Sequence, residues 1–292
     1  MTKRDWRSTP QTSHVTRMAR FVLGALAASA ALLASSAVDS AEAAVVTRTI
    51  EYEHEGTTLE GFLAYDDAVT GSRPGVVIVH QWMGLTDNER MRARMLAEMG
   101  YVAFAADIYG KGIRPKNQQE AAAEAGKHYG NLALLRQRAQ AAVDVIKGDA
   151  HLIGGDDKIF QSVDDSRVGA IGYCFGGGAV LQLAKSGSDI AGVVSFHGSL
   201  GGGEPDDAKS IKCPLLVLHG AEDPYVPQDQ VLAFLDEMKA ANVDFQFVAY
   251  SGAVHAFTQK EAGDDKSRGA AYNEKADHRS WQAMKDFFAE IF

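Results

Sequence analysis

Cysteine is scarce in this 292-residue sequence, where Cys174 and Cys213 are the two present, and proline is held to seven. Two thiols in a chain of this length exclude a small disulfide-framed fold. The nine histidines form no H-E-x-x-H motif and the cysteines no C-x-x-C, so the spacing calls for no metal. A glycine-rich run at residues 172–178 lacks the Lys-Ser/Thr pair of a phosphate loop, and no cofactor is expected. Positive charge is in deficit as well. Lys and Arg number 29 against 38 Asp and Glu, a net charge of -9 that argues against coating nucleic acid by phosphate neutralisation. Repeats, low-complexity runs and long Pro/Ser linkers are missing from residue 45 onward, so one domain suffices there. What is present is apolar material for a core: 46% of residues are hydrophobic, which excludes a wholly disordered chain.

The N-terminal segment reads as a separate object. Lys3, Arg4, Arg7, Arg17 and Arg20 precede an uncharged Ala/Leu-rich stretch from Phe21 to Ala34, and Ala41-Glu42-Ala43 offers an A-x-A cleavage site. This order predicts a cleaved signal peptide over residues 1–43 and a single domain over 45–292, placed in the periplasm or secreted. A retained membrane anchor is the alternative. The stretch between Arg20 and Asp39 is short and weakly apolar for a span, so no stable membrane association is expected after cleavage.

Short β-branched runs recur at residues 76–80, 102–106, 168–171, 193–196, 215–218 and 245–249, apolar on both faces as buried parallel strands are. Between them, four sets fall on one face at a period near 3.6. They are Met91, Met95 and Met99; Leu132, Leu135, Ala139, Ala142 and Ile146; Val231, Phe234, Leu235 and Met238; and Trp281, Met284, Phe288 and Ile291. Residues 47–52 and 57–65 alternate around Glu55-Gly56, predicting an antiparallel pair at the sheet edge. The order predicts an α/β fold: a mostly parallel central sheet, helices on both faces and an N-terminal antiparallel hairpin.

Chemistry concentrates at Gly172-Tyr173-Cys174-Phe175-Gly176, where a predicted strand over 167–171 gives way to a helix. This is the context of a G-x-nucleophile-x-G elbow, whose flanking glycines relieve the clashes of a sharp turn. The elbow holds Cys174 at an electropositive helix N-terminus, which favours its thiolate. An elbow requires an acid and then a His, each after a later strand. Asp223 follows the run ending at Gly220, and His255 follows the run ending at Tyr250. Cys174, Asp223 and His255 thus stand in the chain order of the α/β-hydrolase fold. Glu222 is the rival acid, disfavoured because consecutive side chains point apart. Backbone N–H groups of Phe175 and of Trp82, in His80-Gln81-Trp82-Met83-Gly84, are the expected oxyanion hole. His80, His197 and His219 end apolar runs and read as hydrogen-bonded packing before cleft residues. Cys213, before Pro214, reads as a semi-buried thiol. Both cysteines are expected free, since a bridge between them would block the nucleophile.

These motifs, with Asp107-Ile-Tyr-Gly110, His219-Gly-Ala-Glu-Asp223 and Gly252-Ala-Val-His-Ala-Phe257, resemble those of the dienelactone hydrolase family, Cys-dependent members of the α/β-hydrolase fold. The likeness spans residues 45–292. It implies that Cys174 attacks a lactone or ester carbonyl, that His255 oriented by Asp223 moves the proton, and that water releases the acyl-enzyme. Gln81, Trp82, Tyr109, Arg114 and Phe257 become candidates for binding a small-molecule ester or lactone, with the protein a monomer. Two positions depart from the family pattern. Family enzymes acting on dienelactone usually carry a Glu where Gln81 stands, and Gln cannot take a proton. Activation then falls to His255 in a resting thiolate–imidazolium pair, with Cys174 more open to oxidation. An Arg of the family's carboxylate clamp is replaced by Gln259. Lys111, Arg114 and Lys116, in residues 109–129 expected to cover the cleft, are candidate substitutes. Two rival readings remain: a broader carboxylesterase or thioesterase for neutral esters, and a non-catalytic small-ligand binding protein.

Overall fold

The computed structural model describes residues 45–292 apart from Asp156 and Pro205, so the expected signal segment at 1–43 lies outside the described residues. Strands β1 (Val45–His54) and β2 (Thr57–Asp66) form the expected hairpin, with Val45 opposite Asp66 and His54 opposite Thr57. Glu55 and Gly56 turn it with φ of 48° and 72°. Two left-handed residues in a two-residue loop match the twist of the strands they join.

Strands β3 (Arg73–Val79), β4 (Val102–Ala106), β5 (Val163–Tyr173), β6 (Gly192–Phe196), β7 (Leu215–Gly220) and β8 (Phe245–Tyr250) complete an eight-stranded sheet in the order β1-β2-β4-β3-β5-β6-β7-β8. β2 meets β4 antiparallel, and the pairings from β4 to β8 are parallel. The helices are α1 (Asp87–Ala97), α2 (Gln118–Tyr129), α3 (Leu132–Ile146), the single turn α4 (Ala150–Ile153), α5 (Phe175–Lys185), α6 (Gln228–Ala240) and α7 (Glu274–Ile291). Alternation along the strands divides the core in two. Val77, Val79, Phe104, Ala170, Val193 and Val217 pack with buried residues of α3, α5 and α6. Val76, Ile78, Ala105, Ile171, Val194 and Leu216 pack with α1 and α7. Each of the Val, Ile, Leu and Phe side chains contributes about 1.5–3 kcal/mol on burial, and a sheet covered on both faces collects it from both sides.

Helix α1 departs from its expected packing. Met91 and Met99 are exposed, and the buried face is Asn88, Glu89, Arg92, Ala93, Leu96 and Ala97. Polar side chains tolerate this burial because each is paired. Glu89 closes a capping box with Thr86 and accepts from Asn88 Nδ2 at 3.1 Å. Arg92 donates to Asp277 Oδ1 at 2.6 Å and to the Thr258 carbonyl at 3.1 Å. Elsewhere the expected stripes turn inward, with Leu135, Ala139, Ala142, Ile146, Phe234, Met238, Met284 and Phe288 all buried.

Candidate active site

β5 runs through Tyr173 and α5 begins at Phe175, which leaves Cys174 alone on the turn with φ 53° and ψ -112°. A non-glycine residue held there costs on the order of 1–3 kcal/mol. Its peptide groups are anchored: the Cys174 N–H donates to the Phe196 carbonyl at 3.0 Å, and its own carbonyl accepts from the Gly178 N–H at 3.2 Å. A Cβ at Gly172 would fall on the Gly176 carbonyl, and one at Gly176 would fall on the Val79 carbonyl. These two glycines let α5 start hard against the end of β3, which brings the loop after His80 beside Cys174.

Asp223 and His255 reach the thiol from separate loops. After β7, the Asp223 N–H donates to the Gly220 carbonyl at 3.0 Å, and Oδ1 accepts from the Tyr225 N–H at 2.9 Å. The buried carboxylate keeps Oδ2 for His255 Nδ1, 2.8 Å away. After β8, the His255 N–H donates to the Gly269 carbonyl at 3.2 Å, and its carbonyl accepts from the Ala271 N–H at 3.0 Å. Its Nε2 lies 3.1 Å from Cys174 Sγ. Glu222 faces elsewhere and accepts from the Gly252 N–H at 3.0 Å, tying the acid loop to the histidine loop.

Burial alone would lower the His255 pKa, because it disfavours the imidazolium. Interaction with Cys174 and with the Asp223 carboxylate outweighs burial and raises it to about 10. His255 is thus engaged at both nitrogens, Nδ1 by Asp223 and Nε2 by Cys174, an arrangement that favours the protonated ring. Cys213 sits in the core, where burial pushes its thiol up to about 11. Both cysteines are free.

A cleft of about 640 Å³ opens over the thiol. Trp82, Met83 and Tyr225 give it apolar surface, Gln81, Gln118 and Gln259 give it neutral polar groups, and Glu261 and Arg268 are its charged members. Gln81 and Trp82 thus line it as expected. Among the described residues, no backbone carbonyl accepts from the N–H of Trp82 or of Phe175, which leaves both donors available.

Three expected contacts are corrected. Tyr109 is buried outside the cleft lining, and its hydroxyl donates to the Trp82 carbonyl at 3.0 Å, bracing the loop from behind. Arg114 turns toward the hairpin, donating to the Ile113 carbonyl at 2.8 Å and standing 3.6 Å from Glu60 and 3.5 Å from Asp107. Phe257 is fully buried with α1 and α7, because Ala256 takes φ 56° and turns the chain inward after His255. The basic substitutes fare no better. Lys111 pairs with Glu51 at 2.7 Å, Lys116 is not among the lining residues, and Gln118 is the one cleft residue drawn from 109–129. His80, His197 and His219 are buried and do not line the cleft. Met83, Gln118, Tyr225 and Arg268 were not anticipated. Tyr225 carried a signal, standing two residues after Asp223, and its ring meets His255 edge-on at 5.4 Å. Gln118 and Arg268 arrive from distant segments by tertiary folding alone.

A profile of the Dienelactone hydrolase family matches residues 59–292. The "Putative carboxymethylenebutenolidase" of Saccharolobus solfataricus is 26% identical over 278 residues, covering 84% of this chain and 98% of that protein. Among solved structures, a dienelactone hydrolase-like promiscuous phosphotriesterase from metagenomic libraries is 37% identical, covers 85% of this chain and 99% of its own, and superposes with a TM-score of 0.78. A dienelactone hydrolase from Anabaena variabilis shares the fold at 19% identity and a TM-score of 0.58, covering 82% of this chain and 98% of its own. The family match encloses the elbow, the Asp223 loop and the His255 loop, and the chain belongs to the dienelactone hydrolase family as a hydrolase of that type.

Proposed function

We propose that the protein is a carboxylic-ester and lactone hydrolase that works through an acyl-enzyme on Cys174. The observation that carries this reading is the line of contacts from Cys174 Sγ to His255 Nε2 at 3.1 Å and from His255 Nδ1 to Asp223 Oδ2 at 2.8 Å, at the base of an open cleft. The Cys174 thiolate attacks the carbonyl carbon, and the oxygen takes up negative charge before the N–H groups of Phe175 and Trp82. His255 gives its Nε2 proton to the departing alkoxide, leaving a thioester and a neutral imidazole. Water then yields a proton to Nε2 as its oxygen attacks the thioester, and collapse expels the thiolate with the carboxylic acid. Asp223 holds the Nδ1–H and offsets the imidazolium charge throughout.

The lining of the cleft bears on substrate. Its three glutamines are neutral, and outside the Cys174–His255 pair its charged members, Glu261 and Arg268, are exposed and opposite in sign. Neutral esters are favoured over an anionic lactone, which would find no buried cationic partner apart from His255, already engaged by Cys174 and Asp223. Phosphotriesters form a second reading. A relative at 37% identity is described as a promiscuous phosphotriesterase, and these substrates are also uncharged. Residues 1–43 are proposed to direct the protein to the periplasm or the exterior.

Side-by-side hydrolysis of dienelactone, 4-nitrophenyl acetate and a 4-nitrophenyl phosphotriester, by the protein and its Cys174→Ala variant, tests these readings. The expected result is Cys174-dependent turnover, with kcat/KM for the aryl ester at least about tenfold above that for the anionic lactone. Turnover unchanged by Cys174→Ala would remove the nucleophile. A preference for the anion would remove the neutral-ester assignment, and lack of phosphotriester turnover would remove the second reading.

A further inference from the structure

His80 is completely buried at the end of β3, outside both the cleft lining and the Cys174–His255–Asp223 set. Its two ring nitrogens have partners that leave one tautomer. The Ile108 amide, which can only donate, reaches Nε2 at 3.1 Å, so Nε2 carries no proton. The Gln81 carbonyl, which can only accept, lies 2.6 Å from Nδ1, so the proton is there. Burial favours the same neutral ring and lowers its pKa, against the pull of Asp107, whose Oδ1 is 4.0 Å from Nε2.

The carbonyl that His80 holds belongs to the peptide whose nitrogen is that of Trp82. In a planar trans peptide the C=O and N–H point in opposite directions, so anchoring the Gln81 oxygen fixes where the Trp82 N–H aims. Gly84 N–H reaches the same oxygen at 3.1 Å, and Tyr109 donates to the Trp82 carbonyl at 3.0 Å. Both peptides flanking Trp82 are therefore tied through their carbonyls. The His80 ring also stacks on Phe175, with centroids 5.7 Å apart and planes 19° apart. One buried ring thus touches Phe175 and the carbonyl end of the peptide that carries the Trp82 N–H.

We propose that His80, in its Nδ1–H form, is a positioning residue that sets the Trp82 half of the oxyanion hole. This rests on Trp82 N–H acting as an oxyanion donor. A donor aimed at the developing oxyanion acts mainly in the transition state, so its misalignment lowers kcat and leaves KM nearly unchanged.

Two substitutions separate the two bonds of the ring. His80→Asn keeps a donor where Nδ1 stood and loses the acceptor for Ile108; His80→Gln keeps an acceptor near Nε2 and loses the donor to Gln81. With 4-nitrophenyl acetate, His80→Gln is expected to lower kcat by about 30- to 100-fold with KM within about threefold, short of the 10²–10³ that follows outright loss of a donor. His80→Asn should stay within about fivefold of the parent in kcat. Alkylation of Cys174 by iodoacetamide displaces iodide at a saturated carbon and forms no oxyanion, so its rate constant should stay within about twofold in both variants. Nitrogen NMR of the unsubstituted protein supplies a reading independent of variant folding, and a neutral ring protonated at Nδ1 is expected.

A ring protonated at Nε2, near-parental kcat in His80→Gln, equal losses in the two variants, or a matching loss of alkylation would each overturn the proposal. If turnover depends on Cys174 but ignores His80→Gln, this inference alone fails. Turnover that survives Cys174→Ala would remove the ester-hydrolase reading and this inference with it.

Discussion

Cys174 Sγ and His255 Nε2 lie 3.1 Å apart although 81 positions separate them in sequence, and the pair they form sets the charge of the imidazole. Burial works against the cation, and the thiolate is the largest influence that restores it. Replacing Cys174 by Ala removes that influence and should lower the His255 pKa from about 10. The direction follows from the sign of the interaction, since an anion favours the protonated ring. Histidine proton NMR across pH checks it, and an unchanged His255 titration would show that the thiolate does not hold the proton. In the parent enzyme, steps that need the imidazolium should fail as pH rises through about 10.

Residues that act as one unit do not give additive losses. Cys174→Ala and His255→Ala should each lower kcat by several orders of magnitude, and the double variant should be no worse than about tenfold below either. Steady-state kinetics of the three variants decides the matter; fully additive losses would separate the two roles.

Asp223, not its neighbour Glu222, faces the imidazole and is the acid of the proposed triad. Asp223→Asn removes the charge facing His255 Nδ1 and should cost about 10²–10⁴ in kcat, as the wrong tautomer does in other triads. Glu222→Gln keeps an acceptor for the Gly252 N–H and should leave kcat within about twofold. A larger loss from Glu222→Gln than from Asp223→Asn would reverse the assignment.

Gly176→Ala tests the elbow as a packing device. The added methyl meets the Val79 carbonyl, which is backbone and cannot swing aside. Such overpacking costs about 1–3 kcal/mol or more, read as a lower melting temperature and a lower denaturation midpoint. Unaltered stability would mean that the end of β3 and the start of α5 can part freely.

Much of this arrangement was legible because local pattern and global fold agree. The alternation around Glu55-Gly56 gave the hairpin, and the apolar runs gave the buried strands. Gly172-x-Cys174-x-Gly176, with Asp223 and His255 after later strands, gave residues that the fold brings together. What was illegible depended on partners far away in sequence. Met91 of α1 is exposed and Met95 only half-buried because Arg92 finds Asp277 and Glu89 finds its cap, so paired polar groups take the buried side. Arg114 looked free to reach the cleft until Glu60 and Asp107 of the folded chain claimed it. Phe257 follows the histidine motif, yet the left-handed turn at Ala256 sends it into the core. Arg268 comes from a segment with no pattern that marks a cleft residue, and within 109–129, the segment expected to cover the cleft, nothing singles out Gln118.

The central claim is a thioester on Cys174, and trapping it is the most direct measurement. The protein is mixed with excess 4-nitrophenyl acetate, quenched in acid within the first turnover, and read by intact mass and peptide mapping. One acetyl group on the peptide containing Cys174, absent from Cys174→Ala and persisting longer in His255→Ala, is the expected result. Turnover with no adduct, or an acetyl group carried by another residue, would contradict it.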